Sequence, residues 1–334
     1  MTSEPWIDRL RVWAALAVIA LHVSGFSFRA YAGTWSGRWL DGNFWNSGTR
    51  WAVPVYVVLS GYLLLRPERR EGAAAFWRRR AARVGIPLLF WATAYALYHG
   101  ERTAAGLART VLVRLDASYH LWFLYMLVVL YAAAPLVRWL LDRLAPPARL
   151  ALCATCFALT LRLPDLPTLF PVAILPRWLE LAAPYAGYFV LGGVWSRRPA
   201  GRRVLLPALV AAAAFVVTVG GTAALVLSRG EVGAGRVLQD AASPNVIALA
   251  LALCLAARNA GERFPGRRLE HLAPAVLGVY LIHPLLIDAL WAVGLPLERF
   301  PPPLGVPLLS AVVAALSFAA ALALRRLPLL RRTV

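Results

Sequence analysis

Two histidines and a few arginines inside otherwise apolar stretches are where this chain could do chemistry. His22 lies in the first apolar run, with Arg11 eleven residues before it. At about 100° and 1.5 Å per residue, eleven helical steps return to within roughly 20° of the start and climb about 16 Å. Arg11 and His22 therefore share one helix face, Arg11 at a membrane surface and His22 near the middle of a hydrocarbon core about 30 Å thick. An ionisable group at that depth costs on the order of a few kcal/mol to insert and by default marks a pathway or an active site. An imidazole there can take a proton from a hydroxyl as a general base; the plainer alternative is a histidine hydrogen-bonded between helices. Asp8, one turn before Arg11, can pair with it at the interface. A second deep histidine, His283, lies in Gly278-Val-Tyr-Leu-Ile-His-Pro284, where the proline frees a backbone carbonyl. Tyr280 and His283 join His22 and Arg11 as candidate catalytic residues.

Other polar groups fall at the ends of apolar runs. In Phe76-Trp-Arg-Arg-Arg-Ala-Ala-Arg-Val-Gly-Ile-Pro87, Arg80 and Arg83 are three apart and, with Arg79, form a guanidinium fork suited to phosphate oxygens. A topogenic signal or a contact with anionic lipid would use the same cluster. Tyr56-Val-Val-Leu-Ser-Gly-Tyr62 places Ser60 and Gly61 where a ligand or a second backbone could approach closely, with Tyr62 beside them. Asn46, Arg50 and Pro54 line the outer start of that span. His120 and Trp122 open the fourth span on the outer side, as substrate contacts or as aromatic-belt anchors. Cys153, Cys156 and Cys254 lie in apolar runs and read as packing residues, and no metal is expected. The glycine pairs near Gly192 and Gly233 lack the strand and helix of a dinucleotide-binding fold.

The elements that must position these groups are membrane helices. Of 334 residues, 60% are apolar and only 15% charged, against roughly 25% charged in soluble domains. The chain is expected to be an all-α polytopic membrane protein, a single transmembrane domain over 1–334 with about ten spans: 10–28, 49–65, 84–99, 119–140, 149–163, 178–195, 204–227, 243–258, 274–293 and 304–324. All 35 basic residues are arginine, and with a cytoplasmic N-terminus 24 of them fall on the inner side. This arginine bias puts both termini in the cytoplasm and accounts for the net charge of +19 without a nucleic-acid partner. The first run is no cleavable signal peptide: it holds His22 and leads into the Trp-rich segment 34–45, expected to be an outer loop for sugar stacking or an interfacial belt. Ser3, Glu4 and Pro5 read as a helix start, with Ser3 as N-cap. No internal repeat is visible, which weakens a transporter or flippase of a glycolipid or small anion, the competing class.

Taken together, Asp8-Arg-Leu-Arg11 with His22, Val53-Pro-Val-Tyr-Val-Val-Leu-Ser-Gly-Tyr62, Arg80-Ala-Ala-Arg83 with Pro87, His120-Leu-Trp-Phe-Leu124 with Leu130-Tyr and Pro135, and Val279-Tyr-Leu-Ile-His-Pro284 resemble the integral membrane acyltransferase family 3 over essentially the whole chain. The closest branch resembles the enterobacterial common antigen O-acetyltransferase. The resemblance implies transfer of an acyl group, usually acetyl, from cytoplasmic acyl-CoA to a hydroxyl of a glycan or lipid-linked sugar in the bacterial cytoplasmic membrane. Arg11, His22, Arg80 and Arg83 match the family's functional set. Val55-Tyr56-Val57 stands where paired phenylalanines are typical, and the appended extracellular hydrolase-like domain of some members is not expected here. His22 would be the general base, or a nucleophile carrying an acyl-histidine. The oxyanion donor is open among Tyr62, Tyr280, His283 and Arg11.

Overall fold

The computed structural model describes residues 4–68, 71–161 and 177–334. It is all-helical, with 79% helix, and no strand occurs among the described residues. We label the α-helices α1 (Pro5–Arg29), α2 (Gly37–Gly48), α3 (Ala52–Leu64), α4 (Ala73–Arg80), α5 (Ile86–Tyr98), α6 (Ala104–Ala108), α7 (Trp122–Arg143), α8 (Pro146–Ala158), α9 (Arg177–Trp195), α10 (Leu205–Arg229), α11 (Pro244–Ala260), α12 (Val276–Ala292) and α13 (Gly305–Arg326). Six helical stretches among the described residues are long and apolar enough to cross a membrane: Pro5–Arg29, Trp122–Arg143, Leu205–Arg229, Pro244–Arg263, Arg267–Ala292 and Gly305–Arg326. The other four expected spans coincide with α3, α5, α8 and α9, three of them only 13 residues long. Residues 73–98 are nonetheless helical without a break, because α4 passes through a π-helical segment, Ala81–Gly85, into α5. Ser3, Arg69, Arg70 and the end of the expected span 149–163 lie outside the described residues. Glu4 occupies the N-cap of α1, without a side-chain cap, and Pro5 follows in the first turn.

The described residues form two compact units, one of 4–56 with 200–322, the other of 57–160 with 177–199 and 323–334. In the first unit α1 is buried along most of its length. The Trp-rich segment expected as an outer loop is instead largely α2, and it runs back antiparallel along α1. Ser36 caps it, accepting from the Trp39 N–H at 3.2 Å, and the Trp39 indole, 2% exposed, donates to the Phe28 carbonyl at 3.1 Å. Gly42 permits the contact, since a Cβ there would meet the Phe28 nitrogen at 2.7 Å. Farther along, Asn46 Nδ2 donates to the Leu21 carbonyl (3.0 Å) and the Tyr56 hydroxyl to that of Arg11 (2.7 Å). Tyr56 thereby gives α3 a hydrogen bond to α1 that a phenylalanine could not make. Residues 49–51 interrupt the helix between α2 and α3, and a helix broken in this way beside a membrane span is a recurrent setting for binding sites.

Arg9, counted from sequence only as a topogenic charge, is 3% exposed and clamps the start of α1 to the segment before α12. Its Nε donates to Glu270 at 2.6 Å, and Nη1 to the carbonyls of Glu262 (2.6 Å) and Phe264 (2.5 Å). Removing one partner of such a pair strands the other, so Arg9→Ala should cost about 3 kcal/mol. The measurement is thermal unfolding in detergent, with Arg9→Lys recovering only part because the ammonium lacks the fork.

The second unit is held by small residues and another arginine. A Cβ on Gly61 of α3 would lie 2.0 Å from the Phe189 carbonyl oxygen, and one on Gly192 of α9 would lie 2.2 Å from that of Val58. The two backbones touch, as small residues allow in membrane helices. Arg197 donates to the carbonyls of Leu65 (2.6 Å) and Gly193 (2.8 Å) and pairs with Asp142. Cys153 packs with its thiol 3.6 Å from the Gly187 carbonyl. Gly192→Ala should cost about 3 kcal/mol through overpacking against backbone that cannot yield. Gly220→Ala, where nothing lies within 4 Å, should be neutral or slightly stabilising by helix propensity. Comparison of their melting temperatures checks both.

Candidate active site

The site starts from His22 on α1 and His283 on α12. His22 Nδ1 and His283 Nε2 are 2.7 Å apart, and the rings lie nearly parallel, with centroids 4.9 Å apart and an interplanar angle of 9°. The other nitrogen of His283, Nδ1, is 3.2 Å from the Val279 carbonyl. A carbonyl can only accept, so His283 Nδ1 must carry a proton. With both rings neutral, His283 Nε2 is then the acceptor, and His22 Nδ1–H the donor. It follows that the His22 lone pair sits on Nε2, the arrangement a general base needs. Pro284 contributes one turn further on: its missing N–H deprives the Tyr280 carbonyl of its helical donor, and that carbonyl is a second acceptor beside the His283 ring. His283 is 0% exposed, whereas His22 is half-buried, so the dyad has a sealed partner and an accessible one.

Around His22 lies a polar network anchored on α2 and its broken end. Arg50 Nη2 donates to Asn46 Oδ1 at 2.5 Å and to Gln239 Oε1 at 2.9 Å. Gln239 Nε2 donates to the Ser47 hydroxyl (2.7 Å), which donates to Asn43 Oδ1 (2.8 Å), and Asn43 Nδ2 reaches the Val219 carbonyl (3.0 Å). Asn46 is 4% and Gln239 6% exposed, so the guanidinium of Arg50 is held by buried amide oxygens. Because Asn46 also bonds the carbonyl of Leu21, the residue before His22, Arg50 is registered to the histidine. Arg50 and Arg29 are the arginines whose charge acts on His22. Arg11 stands at the other end of the helix, 3.4 Å from Asp8, the pairing expected from sequence.

The first unit thus brings His22, His283, Tyr280, Asn46 and Arg50 into one neighbourhood. The second unit holds the remaining candidates in local clusters. Arg79 pairs with Glu71, Arg80 lies over the Phe76 ring at 5.8 Å, and Arg83 is exposed. Arg83 falls within the π-helical segment, whose wider i→i+5 ring alters the common face that α-helical spacing predicts for Arg80 and Arg83. Ser60 Oγ is 3.1 Å from the Tyr131 hydroxyl, and the Tyr62 ring carries the Arg66 guanidinium at 4.6 Å. The close approach at Ser60 and Gly61 is made by backbone. His120, 1% exposed, bonds Ser118 at 2.9 Å and meets the Tyr95 ring edge-on at 4.9 Å, and Trp122 packs against Tyr185.

Sequence reasoning missed Gln239 and Arg29. Gln239 carried no local signal, being 189 residues from Arg50. Arg29 did: seven residues after His22, it returns to the same helix face.

An all-helical chain with six helices long and apolar enough to cross a membrane among the described residues, and an imidazole pair set between two of them, defines the class, a polytopic helical membrane protein. The family model described as an acyltransferase domain, that of acyltransferase family 3, matches residues 4–324, and the chain belongs to this family of membrane acyltransferases. No curated protein and no solved structure matches the chain.

Proposed function

We propose that the protein is a multi-pass enzyme of the bacterial cytoplasmic membrane, both termini inside, that transfers an acyl group from cytoplasmic acyl-CoA to a hydroxyl of a cell-envelope glycan or lipid-linked sugar. Acetyl-CoA is the expected donor, and the branch resembling the enterobacterial common antigen O-acetyltransferase is the nearest expectation for the reaction. The observation that carries this reading is the 2.7 Å hydrogen bond from His22 to His283, which leaves the basic nitrogen on the accessible ring. His22 Nε2 takes the acceptor's hydroxyl proton while the oxygen attacks the thioester carbonyl. Collapse of the tetrahedral intermediate breaks the C–S bond, and the imidazolium returns its proton to the departing CoA thiolate. His283, with both nitrogens engaged, has no proton for the oxyanion and acts by positioning His22. Arg79, Arg80 and Arg83 are assigned to the donor's phosphates, with Ser60 and Tyr62 to its pantetheine arm. Asn46, Arg50, His120 and Trp122 are assigned to the acceptor.

Purified protein in nanodiscs, given radiolabelled acetyl-CoA and a panel of glycans, should release CoA and label a glycan. A transporter or flippase would move ligand across the bilayer without consuming thioester, and that result would replace the proposal.

A further inference from the structure

The face of α1 opposite His22 carries a groove that protein does not fill. Trp13, Leu16, Ala17 and Ala20 recur at helical spacing and form one stripe, and His22 lies half a turn round from Trp13. The stripe floors a cavity of about 520 Å³, the size of a small-molecule site. Phe44 and Trp45 of α2, Phe215 of α10 and Ala311 of α13 wall it. Helices α1, α10 and α13 are long and apolar enough to span, and Trp13, Phe44 and the neighbouring Leu308 and Val312 are exposed, so the cavity faces hydrocarbon. Its hydroxyls offer a ligand nothing: Thr49 donates to the Trp45 carbonyl at 2.6 Å, and Ser310 Oγ is buried. A hydrocarbon chain suits such a lining, where a polar group would go unpaired. One end of the groove is cationic. The Trp13 indole donates to the Pro265 carbonyl at 3.2 Å, and Arg9, one turn earlier, holds the carbonyls of Glu262 and Phe264. These bonds pin residues 262–265 at the Trp13 end, and Arg263, Arg267 and Arg268 beside them are exposed. Of the acids nearby, Glu270 is paired with Arg9, which leaves Glu262 against three guanidinium groups. Arginines at the edge of a membrane span attract anionic lipid.

We propose that the groove holds one hydrocarbon chain of a resident anionic phospholipid, with its phosphate at Arg263, Arg267 and Arg268, and that this lipid backs α2 against α1. The occupant is a phospholipid and not a lipid-linked acceptor, because an acceptor seated here would present its sugar on the wrong face of α1 for His22. Helix α2 explains what the lipid does. Phe44 and Trp45 look into the groove, while Asn46 bonds the Leu21 carbonyl and Arg50. A chain in the groove therefore supports from behind the helix whose polar face is registered to His22.

The test reads lipid binding and needs no turnover. The full chain in detergent micelles is titrated with phosphatidylglycerol and phosphatidylcholine of the same chains, and retained lipid is counted by native mass spectrometry. With Glu262 offsetting one of the three arginines, phosphatidylglycerol should be preferred about 25-fold, at about fivefold per net charge. Arg267→Gln with Arg268→Gln, both at exposed positions, should abolish the preference while leaving the chain held. Ala311→Trp, which fills the groove from its exposed wall, should remove retention of both lipids, with thermal unfolding run in parallel. Phosphatidylglycerol carrying a diazirine in one chain should label wild-type peptides containing residues 13–20 and 307–311, a mapping that requires no variant. Equal retention of the two lipids, labelling confined to other peptides, or retention unchanged in a folded Ala311→Trp protein would overturn the proposal. Displacement of phosphatidylglycerol by an equal concentration of polyprenyl phosphate would make the groove a carrier-lipid site instead. A lipid-free dimer that Ala311→Trp dissociates would make it an interface between copies of this chain, and either result would replace the phospholipid.

Discussion

His22→Ala should lower acyl transfer about 10²- to 10⁴-fold, the range a positioned general base contributes, while leaving the melting temperature within a few degrees. His22 is half-buried on α1 and its hydrogen bond runs to His283, a residue that keeps its own backbone contact at Val279 when His22 is lost. The fold therefore has little to lose, and the chemistry nearly everything. The measurement is initial-rate CoA release in nanodiscs at saturating donor, with thermal unfolding run in parallel. Full transfer by the alanine variant would remove both histidine mechanisms. A labelled acyl group trapped on protein with His22 intact, and absent from His22→Ala, would favour the acyl-histidine route over direct transfer.

His283→Leu should lower turnover about 10²-fold with KM for the donor little changed, because it acts on the reacting group and not on binding. In the wild type the Val279 carbonyl holds a proton on His283 Nδ1, and this makes His283 Nε2 an acceptor for His22 Nδ1–H. Without that acceptor nothing fixes the His22 proton on Nδ1 or aims the ring, and a misplaced reacting group costs on the order of 10²-fold. His283→Gln, whose amide oxygen can accept from His22, should recover part of the rate. The pH profile of kcat should shift in His283→Leu and return toward wild type in His283→Gln, which a purely structural role would not produce. The double variant His22→Ala, His283→Leu should be no worse than His22→Ala alone, since the two rings act as a unit. An additive loss would mean that His283 touches substrate in its own right.

Much of this was legible residue by residue, for reasons that differ between elements. Helix α1 could be read because the 3.6-residue period puts Arg11 and His22 in line, whatever packs against them. Helix α2 could not: Gly37–Gly48 is rich in Gly, Asn, Ser and Trp, and its polar side chains look like a loop until their partners are known. Asn43 and Ser47, four apart, and Asn46 and Arg50, four apart, were the available hint of a helix with two polar faces. At Ser60 and Gly61, small residues admitted either a ligand or a backbone, and the contact with α9 is made by backbone.

Composition and period alone settle that this chain is a helical membrane protein and that His22 shares a face with Arg11, because both follow from local physics: the cost of polar groups in hydrocarbon and the fixed turn of a helix. The five motifs, taken in order, lead to its family. Only the tertiary structure decides what His22 is bonded to and which of its nitrogens is basic. His283 lies 261 residues away and Gln239 189 residues from Arg50, and no local pattern encodes the register between helices that far apart. That register is set by packing, through close contacts such as Gly42 against Phe28, and it brings His22 against His283.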